Sequence, residues 1–198
     1  NIKSIQNSLL YLGIKSKIIF YPEDILDTDK IILPGVGATG HLMKNLKTKN
    51  LDIALSEAVL TKGKPFLGIC AGMQVLVSQL TEFGDHEGLG WISGKVVNIK
   101  ERLPSGFVVP HTGWNDIVLK EKNILLDSYL NKYKSFYFSH SFSVFPDEKK
   151  YINSYFEYGD KKFIAGLSFD NVVAFQFHPE KSQISGQLLL KWFLNWKP

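Results

Sequence analysis

The stretch Pro65-Phe66-Leu67-Gly68-Ile69-Cys70-Ala71-Gly72-Met73-Gln74 decides how this chain is read. Phe66 to Ile69 is a short continuous apolar run, the pattern of a strand buried on both faces. Gly68 and Gly72 frame the chain's one cysteine, and beyond it the spacing predicts a helix over 71–80. A strand that ends in a glycine-flanked elbow and opens into a helix is how acyl hydrolases expose a nucleophile. The helix dipole and its free N–H groups favour a thiolate there. A lone cysteine is often only a small core hydrophobe; the glycine frame is what argues for chemistry.

On either side of this elbow the chain alternates between strand and helix. Ile2, Ile5, Leu9, Leu10 and Leu12 recur at helical spacing until Gly13 stops them. Lys17-Ile18-Ile19-Phe20 reads as a short strand, and Lys30-Ile31-Ile32-Leu33 as a buried one that runs into Pro34-Gly35-Val36-Gly37. Helical patterns cover 39–46 and 51–61. Further on, 96–99, 114–119, 135–138, 152–158, 163–168 and 172–177 read as strands with little helix between them, and an amphipathic helix over 188–196 closes the chain. The fold class expected is α/β: a doubly wound, flavodoxin-like, mostly parallel sheet with helices on both faces and an antiparallel extension. With no repeat or linker visible, residues 1–198 read as a single domain. A doubly wound sheet places its first strand in the interior, yet this sequence opens on a helix. The expectation is that a short first strand is missing from the sequence as given.

Composition narrows the function classes. Hydrophobic residues make up 44% and aromatics 13% of the 198 residues, which suits a packed globule. The net charge is only +4 and the lysines are scattered, without the basic stripe that nucleic-acid binding needs. No apolar run approaches the roughly 18 residues of a membrane span. One cysteine excludes an internal disulfide and suits a reducing cytoplasm.

A thiol nucleophile needs a base, and Phe177-His178-Pro179-Glu180 offers one at the exit of an apolar strand. Pro179 stiffens the turn, and Glu180 is placed to accept from the imidazole and fix its tautomer. A capped loop histidine beside a solvated glutamate is the plainer alternative. His41, His86, His111 and His140 are rival bases without so well placed an acidic partner. No pair among them has metal-ligand spacing, so neither a metal nor another cofactor is expected. The N–H of Ala71 would point toward a developing oxyanion, with a second donor from the Val36-Gly37 turn.

Taken together, Pro34-Gly35-Val36-Gly37, Gly68-Ile69-Cys70-Ala71-Gly72-Met73-Gln74 and Phe177-His178-Pro179-Glu180-Lys181-Ser182 resemble the class I (triad) glutamine amidotransferases. Glu87-Gly88-Leu89-Gly90, Pro110-His111-Thr112-Gly113-Trp114-Asn115 and Tyr137-Phe138-Ser139-His140-Ser141-Phe142 make the chain most similar to the glutaminase subunits of imidazole glycerol phosphate synthases. The resemblance implies that Cys70 attacks the side-chain amide of glutamine, that His178 protonates the departing ammonia, and that Glu180 orients His178. It implies that Gln74, Glu82 and the backbones of Gly37, His140, Ser141 and Phe142 hold the substrate. It further implies a heterodimer with a (β/α)8-barrel cyclase that receives the ammonia, with Asn1, Trp114, Asn115 and Lys181 near the interface. Trp114 is read equally well as core.

Two departures stand out. The family opens with a strand and a glycine-rich turn ending in Asn, of which only Asn1 is present. Its His-Met-Gly-Trp-Asn segment appears with Thr112 in place of Met. That change leaves room for an alternative: a paralogous subunit that supplies ammonia for amidation of a surface-polysaccharide sugar nucleotide.

Overall fold

In the computed structural model, residues 2–120 and 133–198 are described. The central sheet is built on the elbow strand. In β1 (Ile31–Gly35) and β2 (Phe66–Cys70) the continuous apolar runs pair in parallel, Gly35 opposite Cys70. β11 (Val172–Phe175) lies on the other side of β2, also parallel, with Phe175 opposite Ile69. From β11 outward the pairing is antiparallel through β10 (Lys161–Phe169), β9 (Ile152–Tyr158), β6 (His111–Leu119) and β7 (Ser135–His140). The mixed sheet is therefore parallel where the elbow sits and antiparallel beyond it, as the run of strands in the second half of the chain predicts.

Period-two alternation sends neighbouring side chains to opposite faces, and each face has its own core. Leu67, Ile69, Val173 and Phe175 pack with Ile5 and Leu9 of α1 (Ile2–Tyr11) and with Leu189, Leu190 and Phe193 of the C-terminal helix, Gln183–Asn195. Phe66, Val172 and Ala174 pack with Met43 and Leu46 of α3 (Thr39–Thr48) and with Leu51 and Leu55 of α4 (Leu51–Ser56). That second core also holds a smaller sheet of β3 (Val77–Leu80), β4 (His86–Glu87), β5 (Ile92–Asn98) and β8 (Phe142–Pro146). A four-residue helix, α2 (Glu23–Leu26), completes the first third.

Two local expectations are corrected and one strand is added. Residues 17–20 form no strand. β1 is the last strand of the sheet on that side, and the 17–20 segment makes no ladder with it; Lys17 pairs with Asp24 instead. The helix after Cys70 is only α5 (Ala71–Gln74), and 77–80 is β3. The backbone carbonyls of Val75 and Leu76 accept from Leu89 and Ile92, so they are withdrawn from any longer helix, and the β-branched Val77 suits the strand that follows. The strand expected at 135–138 is β7, and a further strand, β8, follows it after Ser141 alone, in a stretch interrupted by Ser139, His140, Ser141 and Ser143.

Candidate active site

Cys70 ends β2 with φ +54° and ψ −112°, a conformation that costs a non-glycine residue about 1–3 kcal/mol. The strain is held in place by close backbone packing. A Cβ on Gly72 would lie 1.8 Å from the carbonyl oxygen of Leu33, and one on Gly68 would lie 2.7 Å from that of Gly72. The glycines that frame the cysteine in sequence are thus the points where the elbow touches β1 and itself. The thiol is buried, 6% exposed.

The His178 turn is anchored to two elements. The His178 N–H donates to the Tyr137 carbonyl at 2.9 Å. The Ser182 hydroxyl donates to the His178 carbonyl at 2.6 Å and accepts from the Tyr137 N–H at 3.0 Å. From behind, the C-terminal helix presses so close that a Cβ on Gly186 would lie 1.7 Å from the Pro179 carbonyl oxygen. His178 Nδ1 meets Glu180 Oε1 at 2.8 Å, both side chains buried, and the ring also hydrogen-bonds Cys70. Nδ1 being engaged by the carboxylate, Nε2 is the nitrogen left for sulfur.

Burial alone would lower the pKa of this imidazole. The hydrogen bonds with Cys70 and Glu180, backed by their charge, outweigh it and push the value up from 6.5 to about 9. A raised pKa stabilises the fold fully below about 6.5, and the contribution is lost as pH rises through about 9. The melting temperature should fall across that window, and Glu180→Gln should bring the fall to lower pH. A flat melting temperature there would exclude an imidazolium held by these two groups.

The structure brings most of the sequence-predicted residues to this point. Gln74 is buried beside the elbow, its Nε2 donating to the Phe142 carbonyl and to Gln176 Oε1, both at 2.9 Å. His140 is buried, with Nδ1 2.8 Å from the same carbonyl. Ala71 follows Cys70 in the core, while Val36 is 58% exposed in the turn after Gly35, where Gly37 has φ +93° and open space above it. Ser141 gives its carbonyl to the Ile99 N–H, so the backbone acceptors of Ser141 and Phe142 are both engaged inside the protein. Glu82 Oε2 accepts from the Thr39 N–H at 3.0 Å, at the start of the helix that follows the Val36-Gly37 turn.

Among the interface candidates, Trp114 is 48% exposed and meets Tyr137 edge-on, and Lys181 lies over the same Tyr137 ring. Asn115 donates to the Glu157 carbonyl at 2.8 Å. Asn1 lies outside the described residues.

Two neighbours of the site escaped sequence reasoning. Gln176 follows β11 in register with Cys70, and its Nε2 is 3.6 Å from Sγ. Its only signal is that it is the one polar residue in Val172-Val173-Ala174-Phe175-Gln176-Phe177. His111 appears in the sequence as a rival base; it sits instead behind His140, Nδ1 to Nε2 at 3.3 Å, stacked on Phe156. Among the described residues no cluster of His, Cys, Asp and Glu is arranged to hold a metal ion. Nor is any of their helices long and apolar enough to cross a membrane.

A buried thiol on a strained elbow beside a carboxylate-bound imidazole, within a mixed α/β sheet, matches a known class. The family model for glutamine amidotransferase class-I covers residues 1–195, and the chain belongs to that family. More particular likenesses come from curated relatives named as imidazole glycerol phosphate synthase subunit HisH. The one from Zymomonas mobilis is 41% identical over all of this chain and 92% of its own length. A second, from Vibrio vulnificus (HisH 2), is 43% identical over 99% of this chain and 90% of its own. The one from Aquifex aeolicus is 39% identical over 98% and 90%. Among solved structures, a glutamine amidotransferase superposes with a TM-score of 0.70 at 17% identity, over 98% of this chain and 92% of that one, and shows the shared fold.

Proposed function

We propose that this chain is the glutaminase subunit of imidazole glycerol phosphate synthase, in histidine biosynthesis. The observation that carries the reading is likeness along the whole chain to relatives bearing that name. The thiol, imidazole and carboxylate gathered at one elbow support it.

The chemistry follows from the geometry. Cys70 Sγ, as thiolate, attacks the side-chain amide carbon of glutamine, forming a C–S bond. The oxygen that gains charge faces the N–H of Ala71 and those of the Val36-Gly37 turn. His178 Nε2 gives its proton to the departing nitrogen; the C–N bond breaks, and ammonia leaves a glutamyl thioester. His178, now neutral, takes a proton from water, whose oxygen attacks the thioester carbon and releases glutamate with the thiolate restored. Glu180 holds the ring in the required orientation throughout. Gln74, its amide nitrogen engaged internally, has Oε1 left to face the substrate. Glu82 bears on the site through α3 and the turn that precedes it.

Ammonia is protonated in water at neutral pH and must reach its acceptor dry. A (β/α)8-barrel cyclase subunit docked near Trp114, Asn115 and Lys181 would receive it directly. The lone free thiol suits the reducing cytoplasm, where such a pathway runs.

The test is complementation. Expressed with a barrel cyclase subunit in a strain lacking both activities, the chain should restore growth without histidine. No rescue, with glutaminase turnover intact, would move the acceptor elsewhere, to a sugar nucleotide in the first instance.

A further inference from the structure

Gln176 has no part in the steps above, yet it touches the nucleophile, and the polarity of its contact can be traced from the Phe142 carbonyl through Gln74. The Phe142 carbonyl can only accept, so both groups that reach it donate: His140 Nδ1 and Gln74 Nε2. With its proton on Nδ1, neutral His140 offers Nε2 as an acceptor, and His111 Nδ1 donates to it. The second hydrogen of Gln74 Nε2 goes to Gln176 Oε1. That fixes the carbonyl end of Gln176, so the group 3.6 Å from Cys70 Sγ is its NH2. A thiolate only accepts, and here two donors converge on it, Gln176 from the end of the neighbouring strand and His178 from the turn beyond.

We propose that Gln176 is a second hydrogen-bond donor to the Cys70 thiolate, aimed by a relay of two amides, Gln74 and Gln176, whose direction is set by the Phe142 carbonyl that Gln74 donates to. Its position is set by sheet register. Phe175 pairs with Ile69, so Gln176, the residue that follows β11, comes level with Cys70, as Gly35 does on the other side. The relay has no exit to solvent: Gln176 is 0% exposed and Gln74, His140 and His111 are all buried. Burial keeps the two histidines on the far side of that carbonyl neutral, with pKa values of about 3 for His140 and about 4 for His111, so they add no charge beside the amides at neutral pH. The donor is absent from the mechanism above but deepens it, since it rests on Cys70 being the nucleophile.

The titratable groups facing Cys70 and this relay are His178 and Glu180 from the turn after β11, His140 from β7 and His111 from β6. The test reads the thiolate directly, as the rate of Cys70 alkylation by iodoacetamide against pH, with no glutamine and no partner. Gln176→Met keeps length and volume but removes the donor. It should raise the midpoint by about one pH unit, about tenfold less thiolate at a given pH on the acid limb. Gln176→Glu keeps the acceptor for Gln74 and turns a carboxylate oxygen toward sulfur, so its midpoint should rise further. In the wild-type protein the Gln176 side-chain amide protons should shift in the NMR spectrum with the Cys70 midpoint, a readout that needs no variant. Unchanged midpoints in both variants, or amide protons indifferent to Cys70 ionisation, would overturn the proposal. A raised midpoint in a protein without glutaminase activity would instead unseat the functional reading and leave this donor in place.

Discussion

Cys70→Ala should cut glutamine-dependent turnover by about a thousand-fold or more, while the complex given free ammonia still makes product at close to the wild-type rate. The asymmetry follows from the proposed mechanism, in which the sulfur is needed only to release ammonia and the acceptor chemistry takes place on another chain. The variant should remain folded, since it removes one buried atom and leaves the backbone as it is. Alanine tolerates φ +54° no better than cysteine, so the elbow keeps its strain. Cys70→Gly, equally inactive, should therefore be more stable than Cys70→Ala by about 1 kcal/mol. A second readout is the imidazole: without the sulfur, His178 loses a partner that holds its pKa up, and its titration should move down from about 9. Glutamine-dependent turnover that survives in Cys70→Ala would sink the mechanism, and loss of ammonia-dependent turnover would mean the elbow also supports the partner's chemistry.

The second large effect is structural. Gly72→Ala would place a methyl 1.8 Å from the Leu33 carbonyl oxygen, a backbone atom in β1 that cannot rotate away. Either β1 or the elbow must shift, and the expected cost is about 3 kcal/mol or more, a fall of roughly 6–12 °C in melting temperature. Gly90→Ala is the control. Gly90 has a left-handed φ, +67°, which Gly72 lacks, but nothing lies within 4 Å of the added carbon, so only the conformational cost of about 1 kcal/mol applies. Equal losses in the two variants would show that the elbow is not held by contact with β1. Alkylation of Cys70 should slow in Gly72→Ala as well, because the same shift moves the thiol off its partners.

What could be read from the sequence divides along physical lines. The elbow was legible because glycine positions report close backbone approach, and Gly68 and Gly72 prove to be two such points. His178 and Glu180 were legible because two residues of separation around a proline leave the side chains little choice but to meet. Gln176 was not legible as a site residue. An amide inside an apolar strand gains meaning only when the register that sets it beside Cys70 is known, and register is a long-range property. The same holds for His111, whose distance from His140 is fixed by the β6–β7 ladder. Local pattern misled at 71–80, where the carbonyls that a helix would use are taken by Leu89 and Ile92. It misled at 17–20 because a strand is a relation to a neighbour, and no described strand lies beside that segment.

The paired imidazoles of His111 and His140 have a consequence far from the thiol, in the acid unfolding of the whole chain. Burial keeps them neutral, whereas in an unfolded chain each would take a proton near pH 6.5. Below that point the unfolded state binds protons that the native state excludes, and stability declines as pH falls toward about 4 and then about 3. His178 acts in the opposite sense on the alkaline side. The three rings of one interior cluster therefore tilt the folding equilibrium from both flanks, and their joint contribution crests near pH 6.5.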